Sequence, residues 1–575
     1  MPINYQLLHD ETTNEDYIET SLQGKSLLTI PQLNKGLAFT EEERLEFNLL
    51  GKLPPKIEAI EQQTQRAYGQ FKAFTSDLQR HIYLNNLHDT NQVLFYRLVS
   101  DHLAEMMPLI YTPHIGTVVE TFSQQYRKPR GIYIDYPNLK YLDKILSNRT
   151  NPAIDLIVVT DGEAVLGIGD QGVGAINIPI AKLMVYALCA GLNPLRTLPI
   201  MLDVGTDNEK LLSDPLYLGW RHKRLKGEGY ETFIKSFIEA ITHRFPNAFL
   251  HWEDFSIRTA HQNLALCENK ICAFNDDIQG TGGVALATLL AAVKSIDSEL
   301  TQQKIIIFGA GSAGTGIANQ VYAALQRQGL SEAEARQRIW LIDRNGLLIC
   351  DMPGLNQHQI FYARLINECQ EWQRNHQGHI SLAETIKWVK PTILIGCSSV
   401  ANTFDEEVIR LMTSYNERPI IMPLSNPTAN AEAVPVDILR WSEGKALIAT
   451  GSPFLPVVFE DKTVPIAQCN NSSIFPGIGL GVVAVKASKL SENMLWAASE
   501  ALSLCAPILQ DPNGALLPGI AESRQVSRKI AIAVADQAVK EGLAQTNVTD
   551  VTEAVERTMW QPRYYSFRKK SLQCT

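Results

Sequence analysis

The feature that most constrains the fold is a short apolar run, Lys304 to Phe308, that leads directly into a glycine-rich hexapeptide. A helical pattern follows and is stopped by Gly329. Within this G-x-G-x-x-G order, Gly309 permits a tight turn, Gly311 lets a pyrophosphate approach the backbone, and Gly314 lets the helix pack on the strand. The segment therefore predicts a strand–turn–helix unit that binds a dinucleotide. The alternative is a glycine-rich turn without a ligand.

Short β-rich runs separated by helical stretches lie on both sides of this unit, which indicates βαβ units and mainly parallel sheets. The predicted strands are 156–160, 200–203, 248–252, 271–274, 304–308, 339–342, 392–395, 420–424 and 447–449. The predicted fold class is α/β. It comprises a helical N-terminal domain (1–130), a central parallel-sheet α/β domain (131–276 plus 468–543), a Rossmann-type NAD-binding domain (277–467) and a C-terminal tail (544–575). In the first domain, Thr40 and Glu43 have the spacing of a helix-capping box.

Composition excludes several classes of function. The 575 residues include 52 Lys and Arg against 61 Asp and Glu, a net charge of −9, so we expect no broad basic surface for nucleic acid or an anionic membrane. The N-terminus lacks the basic and apolar regions of a secretory signal, and no uninterrupted apolar run reaches the ~18 residues of a membrane span. Nine cysteines are scattered without a His/Cys cluster, which favours reduced thiols in a cytoplasmic protein over a zinc site.

The choice between NAD and NADP depends on the end of the next predicted strand. Asp343 stands there, where an acidic side chain accepts hydrogen bonds from a ribose and repels a 2′-phosphate, so NAD is favoured. Arg344 beside it could instead bind that phosphate, which leaves NADP open.

Two pairs of acidic residues follow neighbouring predicted strands. Glu253 and Asp254 end one strand, and Asp276 and Asp277 end the next. Because clustered carboxylates repel one another unless a cation lies among them, and hard oxygen ligands suit Mg²⁺ or Mn²⁺, a divalent metal site is predicted. The alternative is that these acids cap helices or face solvent.

Two further residues are candidates for proton transfer. Lys182 lies in an apolar segment, where burial would lower the pKa of its ammonium group and make it a usable base. Tyr111 precedes Thr112-Pro113 in another apolar segment. Taken singly, each is as well explained by packing, the lysine with its charge at the surface and the tyrosine in the core.

Taken together, ordered segments over nearly the whole chain resemble the malic enzymes, specifically the large-subunit type of bacteria and eukaryotes. The matching segments are Leu33-Asn34-Lys35-Gly36, Leu53-Pro54-Pro55, Tyr111-Thr112-Pro113, Thr160-Asp161-Gly162-Glu163, 203–208, Pro215-Leu216-Tyr217, Trp252-Glu253-Asp254-Phe255, 274–281, 424–428, 451–454, Asn470-Asn471 and Phe475-Pro476-Gly477.

The resemblance implies oxidative decarboxylation of (S)-malate to pyruvate and CO₂, with NAD and with Mg²⁺ or Mn²⁺ acting as a Lewis acid. By matching motif, Lys182 removes the malate hydroxyl proton and Tyr111 protonates the enol at its methylene carbon. The other implied site residues are Glu253, Asp254 and Asp277 for the metal, Asp277 also toward the cofactor, Asp276 as their partner, Asn426 for substrate and nicotinamide, and Asn471 for substrate. A homodimer or homotetramer is implied as well. The aromatic-basic tail 560–570 either docks on a neighbouring subunit or is solvated.

One position departs from the family pattern. Ala164 stands where malic enzymes commonly have an arginine that reaches the substrate carboxylate and the cofactor, and segment 396–402 also diverges. Malolactic enzymes, which convert malate to lactate and retain NAD, depart from the arginine pattern too. The leading expectation is an NAD-dependent malic enzyme. The alternatives are malolactic conversion, or an NAD-binding regulatory protein without turnover.

Overall fold

The computed structural model describes residues 5–148, 153–165 and 167–570. Its N-terminal part is mostly helical, as predicted, but it begins with an antiparallel hairpin that the prediction missed. The elements of this part are β1 (Tyr5–Asp10), β2 (Glu15–Thr20), α1 (Gly24–Leu28), α2 (Glu41–Glu46), α3 (Ile60–Lys72), α4 (Asp77–Thr90), α5 (Gln92–Asp101), α6 (Leu103–Ile110), α7 (Ile115–Glu120) and α8 (Phe122–Gln125). Thr40 and Glu43 form the predicted capping box at the start of α2.

The central part is built on a five-stranded sheet in which all neighbours are parallel, in the order β3-β5-β4-β6-β7. Its elements are β3 (Ile132–Asp135), α9 (Leu142–Ser147), β4 (Leu156–Thr160), α10 (Asn177–Val185), β5 (Thr197–Asp203), α11 (Glu209–Ser213), α12 (Glu228–Arg244), β6 (Phe249–Trp252), α13 (Ile257–Leu266), β7 (Ala273–Asn275) and α14 (Thr281–Ser295). Both faces of the sheet are buried, which explains why every residue of β4 is buried and why all but its last residue, Thr160, are apolar.

A seven-stranded sheet follows in the order β10-β9-β8-β11-β12-β13-β16, parallel except for β10. Its elements are β8 (Ile305–Phe308), α15 (Ser312–Arg327), α16 (Glu332–Gln337), β9 (Ile339–Asp343), β10 (Gly346–Leu347), α17 (Gln357–Tyr362), α18 (Leu382–Val389), β11 (Ile393–Gly396), α19 (Glu406–Tyr415), β12 (Ile420–Pro423), α20 (Pro435–Trp441), β13 (Leu447–Thr450), β14 (Val457–Phe459), β15 (Lys462–Val464) and β16 (Ala467–Gln468). The strand order reverses between β8 and β11, which is where open α/β sheets bind ligands.

The last part returns to the central sheet. It consists of α21 (Phe475–Val485), α22 (Glu492–Ser503), α23 (Ser523–Lys540), α24 (Val551–Thr558) and β17 (Ser566–Lys569). The expectation of a solvated tail at 560–570 is wrong, because β17 pairs in parallel with β2 of the same chain, and docking on a neighbouring subunit stays a prediction. Its Phe567 is buried, since the ring packs edge-on against two phenylalanines of the N-terminal part.

One stretch of helix, Gly172–Ala190, is long and apolar enough by length and composition to cross a membrane. Of its 18-residue apolar stretch, 94% is buried inside the protein. It includes α10 and runs between the central sheet and the helices of the C-terminal part, where it carries Lys182. Its apolar character is therefore that of a core helix.

Candidate active site

Glu253 and Asp254 meet one of the two later acids, Asp277, at one edge of the central sheet, as the order of the strands predicted. Glu253 and Asp254 directly follow β6, Asp276 and Asp277 directly follow β7, and these strands are parallel neighbours. Carboxylate oxygens of Glu253, Asp254 and Asp277 lie within 4.8 Å of one another. The backbone N–H of Asp254 donates to Asp277 Oδ2 at 2.8 Å, which fixes the second loop against the first.

This trio fits a hard divalent cation. Burial raises the pKa of Asp277 well above the ordinary carboxyl value, and the charge of Glu253 raises it further. A bound cation removes that repulsion, because it supplies the positive charge that the clustered oxygens lack. A second group of possible ligands, His251, Glu253 and Asp276, is also close together. Its atoms already bond to one another and to Lys182, so the all-oxygen trio is the better candidate.

Lys182 lies at the centre of this edge. Its Nζ is 2.8 Å from Glu253 Oε1 and also bonds to the Asp276 carboxylate, with the side chain almost wholly buried. The predicted lowering of its pKa is wrong for this geometry. Burial does lower the pKa, but the charges of Asp276 and Glu253 outweigh it and hold the pKa well above the usual value. Lys182 is therefore an ammonium group when no cation competes for its carboxylates.

Tyr111 follows α6 and closes the other side of Lys182. Its ring centroid is 5.6 Å from Lys182 Nζ, and the residue is 6% exposed. Burial raises the pKa of the phenol above its usual value. The hydroxyl therefore keeps its proton at neutral pH, as a general acid requires.

Sequence reasoning missed the residues that hold this edge in place. His251 Nε2 is 2.6 Å from Glu253 Oε2, and His251 Nδ1 is 2.8 Å from the hydroxyl of Tyr186. Phe475 lies under the ammonium group of Lys182, 4.6 Å from its ring centroid. His251 had a usable signal, since residues two apart on a strand share a face. Tyr186 and Phe475 had none, because they come from distant parts of the chain.

The glycine-rich loop after β8 adopts the predicted form. Gly309 has φ +111°, and a Cβ there would lie 2.4 Å from the backbone of Cys397. A Cβ on Gly314 would lie 1.9 Å from the carbonyl oxygen of Gly309, so the helix could not pack so closely. Gly311 directly precedes α15 and is exposed. The loop and the start of α15 thus have the geometry that receives a pyrophosphate.

Asp343 ends β9 beside this loop. Its carboxylate accepts from the backbone N–H of Arg344 at 2.8 Å and from the Gln359 amide at 3.3 Å. The same amide also donates to the carbonyl oxygen of Ala310 at 3.0 Å. Gln359 therefore ties the acidic residue to the glycine-rich loop, a contact that the sequence did not predict.

The two candidate asparagines differ in how firmly they are held. Asn426 follows β12. Its Oδ1 accepts from the Ser452 hydroxyl at 2.6 Å, and its NH₂ group donates one long hydrogen bond to the carbonyl oxygen of Leu424 at 3.4 Å, which leaves its second N–H for a ligand. Asn471 begins a short turn of 3₁₀ helix that leads into α21, and it is half-buried. Asn426 lies on the loop between β12 and α20 of the seven-stranded sheet, whereas Asn471 lies on the segment that leads from β16 of that sheet to α21.

Ala164 lies directly beside the candidate metal ligands. Its backbone N–H donates to the carbonyl oxygen of Asp254 at 3.0 Å, and its side chain is exposed. Gly167 of the same loop approaches Asn426 and Pro427, so the loop spans from the carboxylate trio to the asparagine. A longer side chain at position 164 would extend outward from this loop.

The divergent segment 396–402 is anchored by a buried carboxylate. Glu432 Oε1 accepts from the backbone N–H and the hydroxyl of Ser398, both at 2.8 Å. It also accepts from the hydroxyl of Ser425 at 2.5 Å, and Ser425 Oγ accepts from the backbone of Ser399 at 2.8 Å. The serines that make this segment unusual therefore bind it to the loop that carries Asn426.

Comparison with known proteins bears on the whole chain. The family model for the malic enzyme N-terminal domain matches residues 88–266, and that for the malic enzyme NAD-binding domain matches residues 278–539. Proteins named NAD-dependent malic enzyme from Pseudomonas aeruginosa and Pectobacterium carotovorum are each 49% identical over 549 residues, covering 95% of this chain and 97% of theirs.

Solved structures show the same fold at lower identity. The Entamoeba histolytica malic enzyme has a TM-score of 0.55 at 23% identity, covering 89% of this chain and 90% of that one. The Pyrococcus horikoshii malic enzyme has a TM-score of 0.52 at 21% identity, covering 79% and 89%. Since two family models span most of the chain and relatives at 49% identity match nearly its full length, the chain belongs to the malic enzyme family.

Proposed function

We propose that this protein catalyses the oxidative decarboxylation of (S)-malate to pyruvate and CO₂ with reduction of NAD. The observation that carries the proposal is the contact of a buried lysine with the acids of a divalent-metal site, next to a buried tyrosine. Glu253, Asp254 and Asp277 are the residues that would hold Mg²⁺ or Mn²⁺. The chemistry that such a cation supplies is Lewis-acid stabilisation of negative charge on the substrate oxygens.

Lys182 takes the hydroxyl proton of malate as hydride leaves C2 for the nicotinamide. To do so it must be neutral, and its pKa is raised by Asp276 and Glu253. A cation bound to the carboxylates would offset their negative charge and so lower the pKa of Lys182. Metal binding and the activation of Lys182 are therefore coupled. Asp276 remains to orient the amine and to receive charge when the ammonium forms.

Tyr111 supplies the proton that converts the enol to pyruvate. Its raised pKa keeps the hydroxyl protonated until the carbanion character of the enol makes transfer favourable. The ammonium of Lys182, close to the tyrosine ring, then replaces the lost proton. Proton flow from Lys182 to Tyr111 returns both groups to their starting states.

The NH₂ groups of Asn426 and Asn471 bind the substrate carboxylate that the metal does not chelate. Asn426 is oriented for this by Ser452. An amide donor is weaker than an arginine, because hydrogen bonds from charged donors contribute roughly 1.5–3 kcal/mol and neutral ones about 1 kcal/mol. Because Ala164 stands where the family commonly has an arginine, malate binding should be weak.

Product analysis tests the function directly. The purified protein is incubated with (S)-malate and Mn²⁺, with NAD or NADP in separate reactions, and pyruvate, lactate and reduced cofactor are measured. Pyruvate and NADH in equal amounts are expected. Lactate without net NADH would instead identify malolactic conversion, and NAD binding without turnover would identify a regulatory protein.

In this proposal the cofactor is NAD. Asp343 favours NAD, because its carboxylate would repel a 2′-phosphate, although Arg344 is exposed beside it.

We place the enzyme in the cytoplasm as a homodimer or homotetramer. Exposed apolar side chains such as Leu216 and Leu218 are compatible with a subunit contact. Analytical ultracentrifugation would give the oligomeric state.

A further inference from the structure

Two histidines stack between the central part of the chain and the nucleotide-binding part. His261 lies on α13, which begins three residues after Asp254, and His358 lies on α17. Their ring centroids are 4.5 Å apart and the ring planes differ by 20°. Both residues are half-buried. The contact therefore joins the helix that follows the metal ligands to a helix of the other sheet.

The stack lies at the end of the cleft where the adenosine half of a dinucleotide would bind. His358 directly precedes Gln359, whose amide bonds both to Ala310 of the glycine-rich loop and to Asp343. On α13, Thr259 and Asn263 are buried, and His261 lies on the opposite side of the helix. The side chain thus leaves the central core and meets the other part of the chain at α17.

We propose that His261 and His358 are positioning residues that hold the two parts of the cleft together for cofactor binding, and that they do so only while both rings are neutral. This inference rests on the proposed use of NAD but not on malate oxidation. Two neutral imidazoles stack favourably, whereas two imidazolium rings at this separation repel each other.

The charges around the pair give the direction of the pH effect. Burial and the neighbouring charge of His358 both lower the pKa of His261. The other charged groups on the elements concerned are Arg258 on α13, and Asp343 with Arg344 at the end of β9, against which α17 packs. Because the lowered pKa belongs to the stacked state, the contact is favoured above the ordinary histidine pKa and is lost as the pH falls.

NADH binding measured by fluorescence, without malate or metal, tests the proposal. For the unmodified protein, the dissociation constant for NADH should rise about three- to tenfold between about pH 7.5 and about pH 5.5, because histidine side chains gain their charge over this range. His261→Phe and His358→Phe each keep an aromatic stack, but the phenylalanine ring cannot be protonated, so two charged rings can no longer face each other. Each should bind NADH with a dissociation constant that changes less than about twofold over the same range.

His376→Phe, at an exposed histidine of the same sheet domain, is the matched control and should keep the unmodified pH dependence. Circular dichroism establishes that each variant is folded at both pH values. The proposal is overturned if both phenylalanine variants keep the unmodified pH dependence, or if His261→Ala binds NADH as tightly as the unmodified protein at the higher pH. Loss of malate turnover with these results intact would count against the proposed function and not against the histidine pair.

Discussion

Lys182 is the residue whose surroundings matter most, because two carboxylates bond to it inside the protein. Its neighbourhood shows why a lysine in an apolar segment need not have a lowered pKa. Desolvation and nearby charge act in opposite directions, and only the second depends on residues distant in the chain.

Lys182→Ala should lower malate oxidation by about 10²–10⁴-fold, the usual contribution of a general base. NADH binding should be unchanged, because the lysine lies on the metal side of the cleft. Lys182→Arg is the sharper comparison, since it retains the positive charge but cannot release a proton at ordinary pH. If Lys182→Arg turns over at a rate near that of the unmodified enzyme, Lys182 is not the base.

Tyr111→Phe should separate two steps of the reaction. The variant keeps the ring beside Lys182 but has no proton to give, so pyruvate formation should fall by about 10²–10⁴-fold. Decarboxylation of added oxaloacetate to the enol, followed as CO₂ release, should be affected less. Equal losses in both assays would show that Tyr111 acts before the enol is formed.

Ala164→Arg should improve malate binding. The added guanidinium would extend from a loop whose backbone touches Asp254, and a charge-assisted bond of roughly 1.5–3 kcal/mol corresponds to about 10- to 150-fold in affinity. The apparent malate constant should fall more than the maximal rate changes, because the contact acts on ground and transition states alike. Ala164→Gln controls for side-chain length without charge. An unchanged malate constant in the arginine variant would mean that another group already binds the carboxylate.

At the scale of elements, the C-terminal strand shows how a terminal segment becomes part of a distant core. Lys35 Nζ bonds to Glu43 at 2.6 Å and to the carbonyl oxygen of Tyr565 at 2.8 Å, and Glu43 also accepts from the backbone N–H of Phe567 at 3.0 Å. A buried ion pair in the N-terminal part therefore forms hydrogen bonds with backbone groups at the start of β17.

Phe567→Ala should lower the free energy of unfolding by about 3–5 kcal/mol, because it leaves a cavity among buried rings. This expectation applies when β17 unfolds together with the whole protein. The thermal midpoint, measured by calorimetry, should fall accordingly. Leu455→Ala, at a side chain that is 85% exposed, is the control and should change stability by less than about 0.5 kcal/mol. A midpoint equal to that of the control would show that β17 detaches without consequence.

At the scale of the whole molecule, the acidic edge of the central sheet should link stability to metal and pH. A carboxyl whose pKa is raised in the folded state stabilises the fold at low pH, and that stability is lost as the pH rises through the raised value. Asp277 is such a group in the metal-free protein. Metal binding should therefore stabilise the fold most at higher pH, where protons no longer compete for the ligands.

The test is the thermal midpoint with and without Mn²⁺, at about pH 6 and about pH 8, since protons compete with the metal at the lower value. The increase caused by Mn²⁺ should be larger at the higher pH. Asp277→Asn removes one ligand charge and should abolish most of the increase at both. Equal increases in the unmodified protein at the two pH values would contradict the assignment of Asp277.

The sequence alone determined the features that depend on local order along the chain. The glycine-rich turn, the Thr40–Glu43 capping box and strands such as β4 were predicted within a residue or two, because turn chemistry and apolar runs act over a few residues. The malic enzyme family was also identified from ordered motifs and is confirmed by the comparisons.

The features that join distant segments became visible only in the folded chain. The strand β17 was missed because its hydrogen-bond partner, β2, lies more than five hundred residues away along the chain. The hairpin β1–β2 is local, and it was missed because its strands carry many charged and polar residues instead of an apolar run. The pKa of Lys182 had the wrong predicted direction, because two carboxylates from the ends of other strands meet its ammonium group. The His261–His358 stack was not predicted for the same reason. Long-range contacts, and the electrostatic fields they create, depend on how sheets and helices pack, and no local pattern in the sequence records that packing.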